Sequence, residues 1–259
     1  MKIFVLPPEY AGGDFLEIKG DDFHYLCHVR RLKKGNSIPA RDAEGNEYHV
    51  TLEEAGRKSC LMRVQKKGPD ASRAGQAEGE ASLSLYQCLL KGTKFDTIVR
   101  QAVELGVLRL VPVQSRYTAA KTGGEKNRYQ RWQRIAREAV QQSGASRVPE
   151  ISSPLGIAEI PRDFGVCGDE RLGIFFHQNP LEINSLHGYL SSCPKEIALV
   201  IGPEGGLADD ELALLREAGF VPAYLGHRVL RSETAPVFAA AAVRIILLER
   251  ERWNLAHGN

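Results

Sequence analysis

From about residue 82 to residue 249, short apolar runs alternate with segments of helical period, and glycine or proline marks most of the changes from one to the other. Residues 83–89, 108–113, 172–176, 197–201 and 221–225 read as strands. Residues 94–105, 128–143, 186–192 and 209–218, and a closing segment to about 249, read as helices, with Gly106, Gly144 and Gly219 as stops. Strand and helix in alternation leave few choices other than a mostly parallel sheet covered on both faces.

Two of the turns in this region are unusual. The run 197–201 is followed by Gly202-Pro203-Glu204-Gly205-Gly206, a composition suited to backbone shape, at the carboxyl end of a strand, where open α/β sheets bind ligands. The run 221–225 is followed by Gly226 and a polar segment with Arg228, Arg231, Glu233 and Thr234, so two such loops are able to close on one pocket. With Thr234 as the cap of the closing helix, Pro236 falls at its second position, where its missing amide hydrogen costs nothing. The almost wholly apolar, alanine-rich body of that helix suits burial against a sheet or a second subunit.

Residues 1–67 read differently, as short strands (2–6, 36–41, 48–53 and 59–66) around one helix over 22–32 with Gly35 as its cap, which suggests a small barrel. Residues 68–81 hold Pro69, Gly75 and Gly79 and little to bury, and form the expected linker. The domains are therefore expected at 1–70 and 82–259.

Net charge is only +2, but residues 91–147 carry 12 Lys or Arg against 4 Asp or Glu, while 148–259 carry 9 against 15. An excess of this kind favours a polyanion as partner. Arg128, Arg131, Arg134 and Arg137 recur every third position beside Tyr129 and Trp132 and are read as sharing a broad face for phosphate contact. Arg30, Arg31, Lys33 and Lys34 form a second basic cluster, a solvated turn unless it joins the first in binding. Five widely spaced cysteines with no Cys-x-x-Cys pair indicate neither a disulfide framework nor a zinc ribbon. No secretory signal, membrane span or metal site is expected; His24 and His28 lack further ligands nearby, and reduced thiols point to the cytoplasm.

The glycine loop is neither Gly-x-Gly-x-x-Gly nor a P-loop, which speaks against a nucleotide-dependent oxidoreductase. Glu204 either caps local amides or orients a donor-rich group of a ligand. Arg228 and Arg231 either order their loop through Glu233 or hold an anion. His177, just past a strand end, is either a loop residue or part of the pocket wall.

Together, Ile201 to Gly206, Leu225-Gly226 and Val229 to Ala235 resemble the bacterial 16S ribosomal RNA uridine N3-methyltransferase family, RsmE, of the SPOUT class. Supporting pieces span nearly the whole chain: His24 with 29–35, Lys91-Gly92 with Lys94 and Asp96, Glu104 to Val107, Arg131-Trp132, Glu138-Ala139, Gln142 to Gly144 and Val148-Pro149. The resemblance implies a PUA-like β-barrel that helps hold RNA, then a trefoil-knotted α/β domain, in a homodimer that methylates N3 of one uridine in 16S rRNA of the small ribosomal subunit. It also implies an S-adenosyl-L-methionine site at Leu199, Ile201, Gly202, Pro203, Gly205, Gly206, Leu225, Gly226, Leu230, Ser232 and Thr234. Arg231 is then expected to stabilise charge on the deprotonated base, with Glu204 orienting the base or accepting its proton. The chain departs from the pattern at Arg30, Gln101, Leu207 and Ala145-Ser146, and the changes at 101 and 145 remove cations from the expected RNA side. Modification of another RNA position by the same fold, or non-catalytic RNA binding in ribosome assembly, are the alternatives.

Overall fold

The computed structural model describes residues 3–67, 81–118, 125–182 and 184–256; the expected linker lies almost entirely outside them. The chain divides into two compact units, Met1–Glu78 with Arg137–Val148, and Gly79–Ala136 with Pro149–Asn259.

In the first unit β1 (Phe4–Val5), β2 (Phe15–Lys19), β3 (Ser37–Arg41), β4 (Glu47–Ala55) and β5 (Ser59–Lys66) form one sheet in the order β1-β3-β4-β5-β2. Only the β1–β3 pairing is parallel. Alternation along β5 sends Cys60, Met62 and Val64 into a core shared with Phe4, Ile18, Leu26, Val50 and Leu52. The helix expected over 22–32 is shorter and wider than its period suggests. The segment α1 (Gly20–Phe23) passes into a π-helical turn, His24–Val29, in which the Arg30 amide donates to the Tyr25 carbonyl at 2.8 Å. Arg31, at φ 53°, then ends it, and Gly35 (φ 85°) donates to Leu52 O at 2.7 Å as part of the turn into β3 instead of capping a helix. Arg31, Lys33 and Lys34 are exposed on this connection and Arg30 is half-buried.

Residues 137–148 belong with this unit because Arg137 reaches Asp22 at 3.1 Å, while Arg41 donates to the Ala145 carbonyl at 3.1 Å and pairs with Glu47 at 2.7 Å.

The second unit is the expected alternating one. Its elements are β6 (Ser82–Cys88), α2 (Lys94–Glu104), β7 (Arg109–Gln114), α3 (Glu125–Ser143, whose last turns fall in the first unit), β8 (Glu150–Ile151), β9 (Leu155–Gly156), α4 (Ile160–Phe164), β10 (Arg171–His177), α5 (Leu186–Tyr189), β11 (Glu196–Ile201), α6 (Asp209–Glu217), β12 (Val221–Tyr224) and α7 (Ala235–Ala256). The sheet runs β12-β10-β11-β6-β7-β8, with β9 also beside β7, and every pairing is parallel. Its central strand β11 is buried on both faces from Ile197 to Ile201, which is why that run is continuously apolar. Gly173 in β10 answers to packing, since a Cβ there would fall 2.4 Å from the Phe220 ring.

The chain leaves β6 toward β7 on one side and later returns to build β10, β11 and β12 on the other. The loops after β10, β11 and β12 therefore emerge at one sheet edge beside a change of winding direction, where α/β folds form clefts.

Candidate active site

Those loops enclose a cavity of about 510 Å³ lined by Phe176 to Gln178, Ile201 to Leu207, Leu225-Gly226, Arg228 to Glu233, Ala235 and Lys94. The first wall is shaped by close approach and by torsion. A Cβ on Gly202 would lie 3.2 Å from Gly206 C, and one on Gly205 would lie 3.0 Å from Tyr117 Cβ. Gly206, at φ 74°, closes the turn by donating to Pro203 O at 3.0 Å. In the second wall Gly226 takes φ 104°, and the amides of Thr234 and Ala235 donate to the Arg231 carbonyl at 2.8 and 2.9 Å. With α7 starting at Ala235, Pro236 is its second residue, and the first amides need no partner from within the helix.

Of the residues assigned to the cofactor walls, all but Leu199 and Thr234 line this cavity. Leu199 is 0% exposed, paired with Ile174 of β10 and Leu85 of β6 deep in the sheet, so its assignment is corrected to core. Thr234 is exposed at the head of α7, away from the lining. His177 does line the cavity and accepts at Nδ1 from the Asn179 amide at 3.1 Å.

Both candidate catalytic residues face the same space. Arg231 is exposed, and its guanidinium has no hydrogen bond or ion pair among the described residues. Glu204 is tied to Lys94 at 3.0 Å, and Lys94 also lies 3.6 Å from Glu233 Oε2. Partial burial raises the Glu204 carboxyl, but its own backbone amide and the Lys94 ammonium together outweigh that and hold it below the usual carboxylate range. Lys94 is raised in turn, chiefly by its hydrogen bond to Glu204. This lysine was not legible as a site residue: it meets Glu204 across 110 residues of chain, and one lysine at the start of a helix has no spacing signature.

The arginine face on α3 is corrected. A helix advances about 100° per residue, so each third position falls back about 60° and Arg128 and Arg137 lie on opposite sides. Trp132, Ile135, Ala136, Ala139 and Val140 form the buried stripe between. Arg131 is bound to the buried Asp96 carboxylate, and Arg137 to Asp22 and the Val5 carbonyl. Two of the four guanidiniums thus hold structure together. Among the described residues no three His, Cys, Asp or Glu side chains group as a metal site, and the stacked His24–His28 pair stands alone.

An RNA methyltransferase domain family matches residues 77–244, and an RNA methyltransferase PUA domain family matches 18–65. The chain is 32% identical to the ribosomal RNA small subunit methyltransferase E of Synechocystis sp., over 94% of this chain and 77% of that protein. It is 29% identical to the one from Bacillus subtilis, over 87% and 88%. The solved Neisseria gonorrhoeae ribosomal RNA small subunit methyltransferase E bound to S-adenosyl methionine superposes with a TM-score of 0.77 at 26% identity, over 95% of this chain and 98% of that one. The chain thus belongs to the ribosomal RNA small subunit methyltransferase E family, with a SPOUT-type α/β domain and an N-terminal PUA-like domain.

Proposed function

We propose that the protein methylates N3 of a uridine in 16S rRNA, using S-adenosylmethionine, on the assembled small ribosomal subunit in the cytoplasm. The observation that carries this reading is the single cavity walled by both glycine loops with an unpaired arginine at its edge. The residues present fit the cofactor. The volume of about 510 Å³ is that of a small-molecule site, and Ile201, Leu225 and Leu230 give apolar walls beside open main chain. Glu233 Oε2 is buried without a hydrogen bond within 3.5 Å and faces the Lys94 ammonium at 3.6 Å, an acceptor with capacity to spare on the same wall. Ile201 to Gly206, Leu225-Gly226, Leu230 and Ser232 would hold the cofactor, which supplies an electrophilic methyl group on a sulfonium when bound.

The protein's own part is to make uracil N3 nucleophilic. Loss of the N3 proton leaves negative charge on the ring and its oxygens, and the Arg231 guanidinium stabilises that charge. Glu204, held ionised by Lys94, is a weak base and a good acceptor, so it orients donor groups of the substrate while the proton leaves to water.

Labelled methyl transfer to unmodified small subunits and to naked 16S rRNA, with nucleoside mass spectrometry, tests the reading. The expected product is 3-methyluridine, formed faster on the subunits. A ribose-methylated product, or cofactor binding with no transfer, would overturn it.

The same reading includes a homodimer. On α7, Phe238, Ile245 and Leu248 are exposed on an apolar stripe with Ala241 and Ala242 between them, more than a lone surface helix leaves to water. Ile245→Asp is expected to weaken self-association about 30-fold, as loss of a central apolar anchor does, and sedimentation velocity would read it. An unchanged sedimentation coefficient would remove this face from the interface.

A further inference from the structure

Beside the cavity stands a side chain that neither the glycine loops nor the charged residues account for. Tyr117 lies in the turn Ser115 to Thr118 directly after β7 and is 50% exposed. It is carried on an ordered support. The Thr118 amide donates to Ser115 O at 3.0 Å, and the Ser115 amide donates to Thr118 Oγ1 at 2.9 Å. The turn is also fastened to α6 from 95 residues away: the Arg116 amide donates to Glu211 Oε1 at 2.7 Å, and the Arg116 guanidinium pairs with Asp210. Glu211 is only 6% exposed, and its other oxygen accepts from the Ala208 amide at 2.9 Å, so one buried carboxylate fixes both the head of α6 and the backbone next to Tyr117.

The ring's position is set by the glycine loop. Tyr117 Cβ and Cγ approach Gly205 so closely that a methyl group there would meet them at 3.0 and 3.4 Å. Gly205 does not have a positive φ, so close approach is what requires glycine at this position. Gly205 lines the cavity, and the aromatic ring is therefore mounted at its rim, half in solvent, with no hydrogen bond from its hydroxyl among the described residues. An isolated exposed apolar side chain is ordinary. One whose neighbouring backbone is fixed by a buried carboxylate, and whose ring stem packs where a glycine of the site leaves room, is a surface prepared for a flat ligand.

We propose that Tyr117 is a stacking platform for RNA at the mouth of the cavity, binding the face of an unpaired nucleobase as it is presented for methylation. This rests on the RNA methyltransferase reading above and adds the residue that grips the substrate. Stacking is the interaction by which proteins hold splayed bases, and it needs the π face but not the hydroxyl. Removing a contact made equally before and during reaction raises KM without lowering kcat.

The test compares Tyr117→Phe, Tyr117→Leu and Tyr117→Trp in the full chain. Tyr117→Phe is expected to match the parent. Tyr117→Leu keeps an apolar contact with Gly205 but has no ring face, and is expected to raise the KM for small subunits about tenfold with kcat and cofactor affinity unchanged. Tyr117→Trp is expected to retain turnover, with its emission quenched when a single-stranded uridine-containing RNA is added, a binding signal that does not depend on catalysis. A Tyr117→Leu enzyme with the parent's KM, or tryptophan emission unmoved by RNA the protein binds, would overturn the proposal. So would a Tyr117→Leu enzyme whose kcat or cofactor affinity falls instead, since the ring would then only prop the glycine loop. A Tyr117→Trp protein whose emission RNA quenches, with a parent that transfers no methyl group, would overturn the catalytic reading while leaving the platform standing.

Discussion

Replacing Arg231 by alanine is expected to slow methyl transfer about 100-fold or more while leaving the dissociation constant for S-adenosylmethionine within about twofold, since loss of one charge-stabilising donor at a reacting centre has that scale. The separation of the two effects follows from which atoms of Arg231 do what. Its carbonyl, which any residue retains, accepts the Thr234 and Ala235 amides and so shapes the cofactor-side loop. Its guanidinium has no bond among the described residues to lose, so truncation leaves no buried partner unpaired. Arg231→Lys keeps the charge but not the planar fork and should fall between the two. Single-turnover rates together with calorimetric titration of the cofactor would read both quantities; a rate within about threefold of the parent would remove Arg231 from the chemistry.

The outline of this site was legible because it is local. Apolar runs that end in glycine announce strands and their turns, and Gly202 to Gly206 and Gly226 to Thr234 were visible as two loops before any geometry. Three strands were not: β2 buries only Ile18, and β8 and β9 are too short to show a period. The helix at 22–32 was misjudged at its end because the π turn keeps Phe23 and Leu26 in the core while shifting the later residues off the 3.6 period. Arg131 and Arg137 of α3 were misread for a different reason. Their partners, Asp96 and Asp22, lie 35 and 115 residues away, and no count of acids within the helix reveals them. Lys94 and Tyr117 share that cause, since each acquires its meaning only from a loop brought to it by the fold.

Lys94 carries the other large expectation. Among the described residues its ammonium is the cation that Glu204 and Glu233 share, so Lys94→Met leaves two carboxylates on the cavity lining without it. The direction of the pH effect follows from Glu204. With Lys94 present its pKa in the folded protein is depressed, and the ionised, oriented carboxylate persists until the pH falls through that lowered value. Without Lys94 the burial that raises the carboxyl is opposed only by the backbone amides of Glu204 and Lys91, so protonation begins at higher pH. The acid limb of kcat/KM should therefore move to higher pH, and only modestly because both partners are part-exposed. Lys94 itself, raised by its partners, stays charged until well above neutral pH, so no compensating change is expected on the alkaline side. At neutral pH the loss should be about tenfold, from two walls no longer held in register. Lys94→Arg should restore the acid limb. A Lys94→Met enzyme with the parent's acid limb would mean that Glu204 takes no part in turnover in its ionised form, and Arg231 would then act without a partner on the opposite wall.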